Sequence, residues 1–369
     1  MTIVPVKLSR NSYHVLIGSG LLRRAGREVR RLLPEKSSRV FVVTSPEVRK
    51  HWGATLTDSF ERARLKYQVL EMNDGEPAKR LETVERLAEQ MVEAGADRRS
   101  LVVALGGGVV GDAAGFLAAM FMRGIPVIQI PTTVVSQLDA SIGGKTGVNL
   151  KAGKNLIGAF HQPRAVLVDP DVLGTLPERE YRSGLFEALK CGVIRDARLF
   201  EFMKKHANRI LARQRAAVQR IITDSARVKA AVVAADERES DLRRILNFGH
   251  TVGHALEAAT GYTALLHGEA VGWGMIAAAH IARGVRACSP EVCDEIIAAV
   301  AAYGPLPALS VNTEEVVARM GSDKKTVAGA VHFVLPQKIG KVKIISGVPP
   351  AIVHAAVKAL RNDALRNHA

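Results

Sequence analysis

The feature that most constrains the fold is a glycine loop over residues 106–112, Gly-Gly-Gly-Val-Val-Gly-Asp, which directly follows the apolar run 101–105. An apolar run of this length is typical of a buried parallel strand, and residues 112–122 read as a helix. The first, third and fourth glycines of the loop satisfy G-x-G-x-x-G between strand and helix. Such a loop lets the backbone approach a pyrophosphate at a helix N-terminus. The alternative is a tight strand-to-helix turn that binds nothing.

Apolar runs and helical stretches alternate through the N-terminal half of the chain. Further strands are predicted at 39–44, 67–70, 127–130 and 166–169, and a helix at 81–94. This alternation favours a parallel sheet with helices on both faces. After Pro170 the pattern changes to Ala- and Arg-rich helices, the first opened at Pro177, and segments 332–336 and 341–345 are expected to form a small hairpin. We therefore expect an α/β domain over 1–175 and an all-α domain over 176–369.

Composition narrows the function classes. With 369 residues, 47% hydrophobic and 24% charged, the chain fits two globular domains. No apolar run reaches membrane-spanning length, and the first residues lack a signal-peptide layout. The cysteines, Cys191, Cys288 and Cys293, form no framework, which indicates reduced thiols in a cytoplasmic protein. The net charge of +15 is compatible with nucleic-acid binding, but the basic residues are dispersed and no DNA-binding motif is present. We expect solvated surface charge that attracts an anionic substrate.

Three histidines suggest a metal centre. His250 and His254 are four residues apart and lie on one helical face, and His267 precedes another helix. Neutral imidazole is a common ligand of divalent metals. The residue after His250 is Thr, so the zincin motif is absent. Spacing alone favours His250 and His254 as a chelating pair, and the alternative is that these are core histidines with satisfied hydrogen bonds.

Two carboxylates and a lysine extend this interpretation. Glu257 and Glu269 lie near the histidines in sequence, and Glu187 shares a helical face with Lys190. One carboxylate and two imidazoles from separate helices would form an open metal site with room for substrate oxygens. The alternative for Glu187 and Lys190 is an ordinary surface ion pair.

A second glycine-rich segment, 141–149, contains Gly144-Lys145-Thr146 but is not a Walker loop, because Asp139 stands where the first glycine should be. We interpret it as a loop whose backbone N–H groups and lysines bind anions, and the alternative is a solvated loop. The strand after the first glycine loop ends in Pro131-Thr132-Thr133 without an acidic residue. The ribose contacts are therefore expected elsewhere, with Asp74, Glu76 and Lys79 as candidates.

In this order the motifs resemble those of the 3-dehydroquinate synthases, which are sugar phosphate cyclases. The resemblance covers nearly the whole chain. It is carried by Asp74-Gly-Glu76, Gly106 to Asp112, Met122-Arg-Gly124, Gln129-Ile-Pro-Thr-Thr133, Gly143-Gly-Lys-Thr-Gly-Val-Asn149, Gly153-Lys-Asn-Leu-Ile-Gly158, Glu187-Ala-Leu-Lys190, Leu246-Asn-Phe-Gly-His-Thr-Val-Gly-His254, His267-Gly-Glu-Ala-Val271 and Asp323-Lys-Lys325.

The resemblance implies a Rossmann-like NAD-binding domain, a helical domain and an active site in the cleft between them. It implies one divalent ion, zinc or cobalt, and a phosphorylated sugar acid, 3-deoxy-D-arabino-heptulosonate 7-phosphate, as substrate. The implied reaction of the shikimate pathway, which leads to chorismate and aromatic amino acids, is oxidation by NAD, phosphate elimination, reduction by NADH, ring opening and aldol closure. The substrate's own phosphate is a candidate base.

The resemblance also implies roles for individual residues. The metal ligands would be Glu187, His250 and His267. The substrate and catalytic residues would be Arg123, Lys145, Asn155, Lys190, Lys229, Arg243, Asn247, His254 and Lys324, with Lys325 as the alternative to Lys324. The NAD contacts would be Asp74, Gly75, Glu76, Lys79, Gly108, Val109, Val110, Gly111, Asp112, Thr132, Thr133, Lys145, Lys154, Val172, Leu173, Gly174 and Thr175.

Other functions remain alternatives at this point. A different sugar phosphate cyclase, such as 2-deoxy-scyllo-inosose synthase, would share the NAD and metal residues. A metal-dependent polyol dehydrogenase is disfavoured, because its substrates need no cations for phosphate or carboxylate. A nucleic-acid-binding module would not need a glycine loop and a metal set together. We expect a homodimer without nucleic-acid or membrane partners.

Overall fold

The computed structural model describes residues 1–321 and 331–366. The chain forms two compact units: Met1–Leu176 with Val218–Arg238, and Pro177–Ala217 with Glu239–Ala369. The division predicted from the sequence, 1–175 and 176–369, stays a prediction, as does a cleft between domains. No helix in the described part of the chain is long and apolar enough to cross a membrane.

A seven-stranded sheet forms the centre of the first unit, with strand order β1-β2-β9-β6-β5-β3-β4. All neighbouring strands in it are parallel except β1 and β2, which are antiparallel at one edge. The strands are β1 Thr2–Val6, β2 Tyr13–Ile17, β3 Arg39–Thr44, β4 Lys66–Glu71, β5 Leu101–Gly106, β6 Val127–Pro131 and β9 Ala165–Val168. The parallel α/β arrangement is confirmed. Strands β1 and β2 were not predicted from the sequence.

The interior strand β5 is buried along its whole length because helices cover both sheet faces. Its side chains alternate between two cores, as the two-residue period of a strand requires. Val102 and Ala104 pack in the core that includes Leu87 and Leu117, which lie on two helices. Leu101, Val103 and Leu105 pack in the opposite core. The helices of this unit are α1 Ala25–Leu32, α2 Pro46–Val48, α3 Ala54–Arg62, α4 Leu81–Glu93, α5 Gly108–Met120 and most of α9 Arg215–Ala235.

The second glycine-rich segment is not the loop that we predicted. Residues Lys145–Leu150 (β7) pair antiparallel with Gly153–Phe160 (β8). Glycine is a weak strand former, which is why the sequence favoured a loop. Here it permits a close backbone approach, because a Cβ on Gly158 would lie 2.2 Å from the carbonyl oxygen of Thr146.

The second unit is mainly helical. Its helices are α6 Glu178–Arg195, α7 Ala197–Lys205, α8 Ala207–Leu211, α10 His250–Ala259, α11 His267–Gly284, α12 Pro290–Tyr303, α13 Thr313–Gly321 and α14 Pro350–Arg366. The predicted small hairpin is confirmed as β10 His332–Lys338 and β11 Lys341–Ser346, so this region is not all-α. The hairpin turn packs against α6, since Gly340 N donates to Val193 O at 2.9 Å.

Candidate functional site

Three helices of the second unit place a carboxylate and two imidazoles together. Glu187 lies in the middle of α6, whereas His250 and His267 are the first residues of α10 and α11. Their ligand atoms all lie within 4.8 Å of one another. Glu187 Oε1 is 3.6 Å from His250 Nε2 and 3.3 Å from His267 Nε2. The structure thus brings together the three residues that the resemblance implied as metal ligands.

Glu187 and Lys190 form an ion pair that is fully buried, so the alternative of a surface pair is wrong. A charge withdrawn from water is stable only when it has partners of opposite charge or hydrogen bonds. Within the second unit, Glu187 faces Lys190 and the two imidazoles. Lys190 and the two imidazoles are therefore the groups of this unit that can balance a negative charge on Glu187.

Contacts at the first turns of α10 and α11 position His250 and His267, the first residues of these helices. Gly249, immediately before α10, has φ 79°, and a Cβ there would lie 2.8 Å from Val271 O of α11. At the start of α11, Glu269 Oε2 accepts a hydrogen bond from Leu266 N at 2.8 Å. Arg179 of α6 donates to both oxygens of Glu269, at 2.7 and 2.8 Å. These contacts tie the first turns of α6 and α11 together beside His267.

A second possible donor group shares His267. His254, Glu257 and His267 also have ligand atoms within 4.8 Å of one another. The ring centroid of His254 lies 5.2 Å from that of His250 and 5.9 Å from that of His267. Spacing alone had favoured His250 and His254 as a pair, whereas His267 is the residue common to both groups.

His267 lies between two carboxylates. Its Nε2 is 3.3 Å from Glu187 Oε1, and its Nδ1 is 3.2 Å from Glu257 Oε2. Burial lowers the pKa of His267, but hydrogen bonds and charges from Glu187 and Glu257 outweigh burial and raise the pKa to about 10. Near neutral pH, the metal-free protein therefore carries an imidazolium at this position.

A pH dependence of metal binding follows from this imidazolium. A metal ion can bind Nε2 only after that nitrogen loses its proton, so binding below the pKa of about 10 should release about one proton from His267. The apparent affinity should rise roughly tenfold per pH unit from pH 7 to 9 through this group. Titration calorimetry with Zn²⁺ in buffers of different ionisation enthalpy measures the released protons. An affinity that stays constant over this pH range would contradict the prediction.

In the first unit, the glycine loop leads into α5 as predicted, although the helix begins at Gly108, four residues earlier than expected. A Cβ on Gly111 would lie 2.8 Å from Gln129 Oε1, so only glycine fits there without displacement. The neighbouring strand β6 ends beside the loop, because Thr132 N donates to Gly106 O at 2.9 Å. The helix N-terminus and adjacent strand ends form the arrangement that binds dinucleotide phosphates in parallel α/β sheets.

A polar network connects several predicted cofactor and substrate residues of this unit. The buried Lys79 donates at 2.5 Å to both Asp112 Oδ2 and Asn155 Oδ1. Burial raises the pKa of Asp112, and the nearby Lys79 opposes that rise only in part. Asn149 donates to Glu76 Oε1 at 2.7 Å and accepts from Asn155 N at 2.8 Å. The network joins the segment after β4 to the β7–β8 hairpin.

The remaining predicted residues of the first unit are distributed around the sheet. Thr133 follows β6, and Trp52 donates to Thr175 Oγ1 at 2.9 Å. Arg123 has φ 69°, in the turn after α5. Lys229 of α9 forms an ion pair with Asp139. Asp74 and Gly75 precede a 3₁₀ turn over Glu76–Ala78, Lys145 and Lys154 lie on β7 and β8, Val109 and Val110 lie in the first turn of α5, and Val172, Leu173 and Gly174 lie in the turn Pro170–Thr175.

The remaining predicted residues of the second unit adjoin the metal cluster in sequence. Arg243 and Asn247 lie in a 3₁₀ turn over Leu242–Asn247, and Asn247 donates to Glu239 Oε1 at 3.4 Å. His254 lies one helical turn after His250. Lys324 and Lys325 lie outside the described residues.

Sequence reasoning missed two charged groups that the structure places beside predicted site residues. Asp139 entered only as the residue that excludes a Walker loop, yet it pairs with Lys229. Glu257 was noted only as a neighbour of the histidines, yet it contacts His267. The available signal for Glu257 was its spacing, seven residues after His250 and therefore on the same helical face.

The donor set of the metal cluster suits a divalent ion. One carboxylate oxygen and two imidazole nitrogens are typical ligands of zinc or cobalt, and three protein ligands leave coordination positions for a substrate. The glycine loop suits a dinucleotide, because it places the N-terminus of α5 beside the ends of two parallel strands.

The fold resembles that of sugar phosphate cyclases. A 2-epi-5-epi-valiolone synthase from Streptomyces hygroscopicus subsp. jinggangensis 5008, solved with NAD⁺ and Zn²⁺, superposes with a TM-score of 0.88 at 29% identity, covering 96% of this chain and 98% of that one. A 2-deoxy-scyllo-inosose synthase complexed with carbaglucose-6-phosphate, NAD⁺ and Co²⁺ superposes with a TM-score of 0.84 at 25% identity, covering 98% of this chain and 99% of that one.

Sequence comparison identifies the family within this class. Residues 69–183 match the family model for the N-terminal region of 3-dehydroquinate synthase, and residues 184–326 match that for its C-terminal region. A 3-dehydroquinate synthase of Koribacter versatilis (strain Ellin345) is 55% identical over 98% of both chains. One of Solibacter usitatus (strain Ellin6076) is 51% identical over 96% of this chain and 98% of its own. The chain belongs to the 3-dehydroquinate synthase family.

Proposed function

We propose that this protein converts 3-deoxy-D-arabino-heptulosonate 7-phosphate to 3-dehydroquinate and phosphate, in the shikimate pathway. The observation that carries this proposal is the convergence of Glu187, His250 and His267 in a chain of this family. Curated relatives named 3-dehydroquinate synthase that are 55% and 51% identical support the substrate assignment. The protein is in this proposal a lyase of the cytoplasm, acting as a homodimer.

The cofactors of the proposal are NAD and one divalent ion, zinc or cobalt, as in the related cyclase structures. Glu187, His250 and His267 would hold the ion, and the loop before α5 would hold the pyrophosphate of NAD. When bound, NAD accepts and returns a hydride while the ion polarises the hydroxyl that is oxidised.

The other NAD contacts of the proposal are those implied by the resemblance, including Asp74 to Lys79, Thr132, Thr133 and the turn at Val172–Thr175. Lys79 and Asp112 both belong to this set of NAD contacts. They already have strong partners within the protein, because Lys79 donates a hydrogen bond to Asp112. We propose that this pair fixes the first turn of α5, so that its N–H groups remain aligned for the phosphates.

The chain's cations would bind and orient the substrate. Arg123, Lys145, Lys190, Lys229, Arg243 and Lys324 supply positive charge for a carboxylate and a phosphate, which bind best through charge-assisted hydrogen bonds. His254 and Asn247 would hydrogen-bond the substrate. A neutral polyol needs no such set of cations, which disfavours a dehydrogenase.

The reaction itself is the direct test. With heptulosonate phosphate, Zn²⁺ or Co²⁺ and NAD far below the substrate concentration, we expect one phosphate released per substrate and no net NADH, since NAD is regenerated. Phosphate is measured colorimetrically and NADH by its absorbance. Glucose 6-phosphate turned over in preference would favour 2-deoxy-scyllo-inosose synthase activity. Stoichiometric NADH from glycerol without phosphate release would instead indicate a polyol dehydrogenase and overturn the proposal.

A further inference from the structure

We propose that Glu257 is a positioning residue, which orients the His267 ring so that its Nε2 faces the metal ion. The inference rests on the proposed metal centre and assigns a role to a residue outside its ligand set. The inference is drawn from the hydrogen bonds of the Nδ1 atoms of His250 and His267, the ring nitrogens that do not face Glu187.

Both imidazoles direct the same nitrogen at Glu187. His250 Nδ1 lies 3.1 Å from Phe248 O, and His267 Nδ1 lies 3.2 Å from Glu257 Oε2. A carbonyl or carboxylate oxygen only accepts, so each Nδ1 carries a proton. In the neutral rings that bind a metal, Nε2 is then the nitrogen with a free electron pair. The two acceptors therefore select the same tautomer in both rings.

The two rings differ in how firmly packing holds them. The side chain of His250 is 10% exposed, whereas that of His267 is 39% exposed. Neighbouring atoms restrict rotation of His250 on most sides, but they leave one side of His267 to solvent. Glu257 is buried, with a side chain only 5% exposed, and can act as a fixed acceptor. His267 thus depends more on its hydrogen bond than His250 does.

The position of Glu257 on α10 explains how it reaches its target. His250, His254 and Glu257 are spaced four and three residues apart and lie on one face of this helix. The helix therefore supplies both a direct ligand and the carboxylate that orients the ligand of α11. Glu257 also adds a second negative charge beside the ion, which raises the basicity of the ring and offsets the charge of a divalent cation.

The competing arrangement makes Glu257 a direct ligand, together with His254 and His267. In that arrangement Glu257 would exchange its hydrogen bond with Nδ1 for a metal bond, and the Nε2 atoms of His250 and His267 would lose their common target at Glu187. We favour the positioning role because both Nδ1 atoms already have acceptors and both Nε2 atoms converge.

The experiment measures Zn²⁺ affinity of the whole protein by competition with a chromophoric chelator, and the visible spectrum of the Co²⁺ form. We expect Glu257→Gln to weaken Zn²⁺ binding about 10- to 100-fold, as is usual for partners of histidine ligands, with the Co²⁺ band positions preserved. Glu257→Ala should weaken binding further, because glutamine still offers a neutral acceptor.

Two further variants separate this role from its alternatives. Tyr303→Phe removes a buried hydrogen bond to Met203 O in the same unit and should leave Zn²⁺ affinity unchanged, which controls for stability loss. His254→Ala should also retain the affinity. Wild-type affinity in Glu257→Gln would overturn the inference alone. Shifted Co²⁺ bands in Glu257→Gln, with equal loss in His254→Ala, would make Glu257 a ligand. Failure of the wild-type protein to bind either ion would overturn the metal centre itself.

Discussion

Replacing His250 by alanine is expected to remove the metal ion and the activity together. The substitution removes one of the three proposed ligands, Glu187, His250 and His267. The imidazole that remains, His267, is more exposed to solvent than His250. A catalytic divalent ion stabilises the transition state by several kcal/mol. Losing about 4 kcal/mol of that stabilisation would slow phosphate release roughly a thousandfold. Metal analysis of the gel-filtered protein and the phosphate-release assay measure the two effects on one sample.

His254→Ala is the matched control, since it removes the same side chain one turn further along α10. We expect it to retain the ion and to lose activity through substrate binding or proton transfer. A His250→Ala protein that keeps its full metal content would remove His250 from the ligand set. If His254→Ala loses the metal and His250→Ala does not, the ion lies in the group of His254, Glu257 and His267.

Local patterns in the sequence sufficed for much of the sheet. The predicted strand at 39–44 agrees with β3, and the runs at 67–70, 101–105 and 127–130 fall within β4, β5 and β6. Strands β5 and β6, and β3 after its first residue, are buried on both faces, so their sequences are mainly apolar and easy to recognise. The edge strand β4 is mostly exposed or half-buried, and its Tyr and Val residues gave the signal instead. The first strand, β1, lies at the sheet edge and contains Pro5, and its mixed pattern gave no comparable signal.

The candidate site depended on contacts that local spacing does not encode. Spacing could place His250 and His254 on one face, but not decide which of them meets Glu187 of α6. That outcome depends on how α6, α10 and α11 pack together. The resemblance to known synthases supplied the ligand set that spacing left open. Neither source indicated that Glu257 bonds His267, because this contact joins α10 to the first residue of α11.

The sequence pattern also did not indicate which glycines lie at helix contacts. These glycines determine how closely the helices that carry the metal ligands approach each other. Gly268 follows His267, and a Cβ there would lie 1.9 Å from the carbonyl oxygen of Ser183 on α6. Ser183 lies four residues before Glu187 on the same helix. This backbone contact therefore sets the separation between the helices that carry Glu187 and His267.

Gly268→Ala should accordingly destabilise the protein and weaken metal binding. The added methyl group meets backbone atoms, which cannot rotate away, so α6 and α11 must separate. Overpacking of this kind costs about 1–3 kcal/mol. For a unit of this size the thermal midpoint should fall by roughly 2–12 °C. Because Glu187 moves away from His267, Zn²⁺ affinity should fall in the same variant.

The control is Gly174→Ala, because a Cβ at Gly174 has no heavy atom within 4 Å and the residue has no left-handed φ. Its free energy of unfolding should stay within about 1 kcal/mol of wild type. Calorimetric unfolding and the chelator competition, each run on both variants, measure stability and metal affinity. If Gly268→Ala unfolds at the wild-type temperature and binds Zn²⁺ with wild-type affinity, the close approach of α6 and α11 does not hold the metal ligands in place.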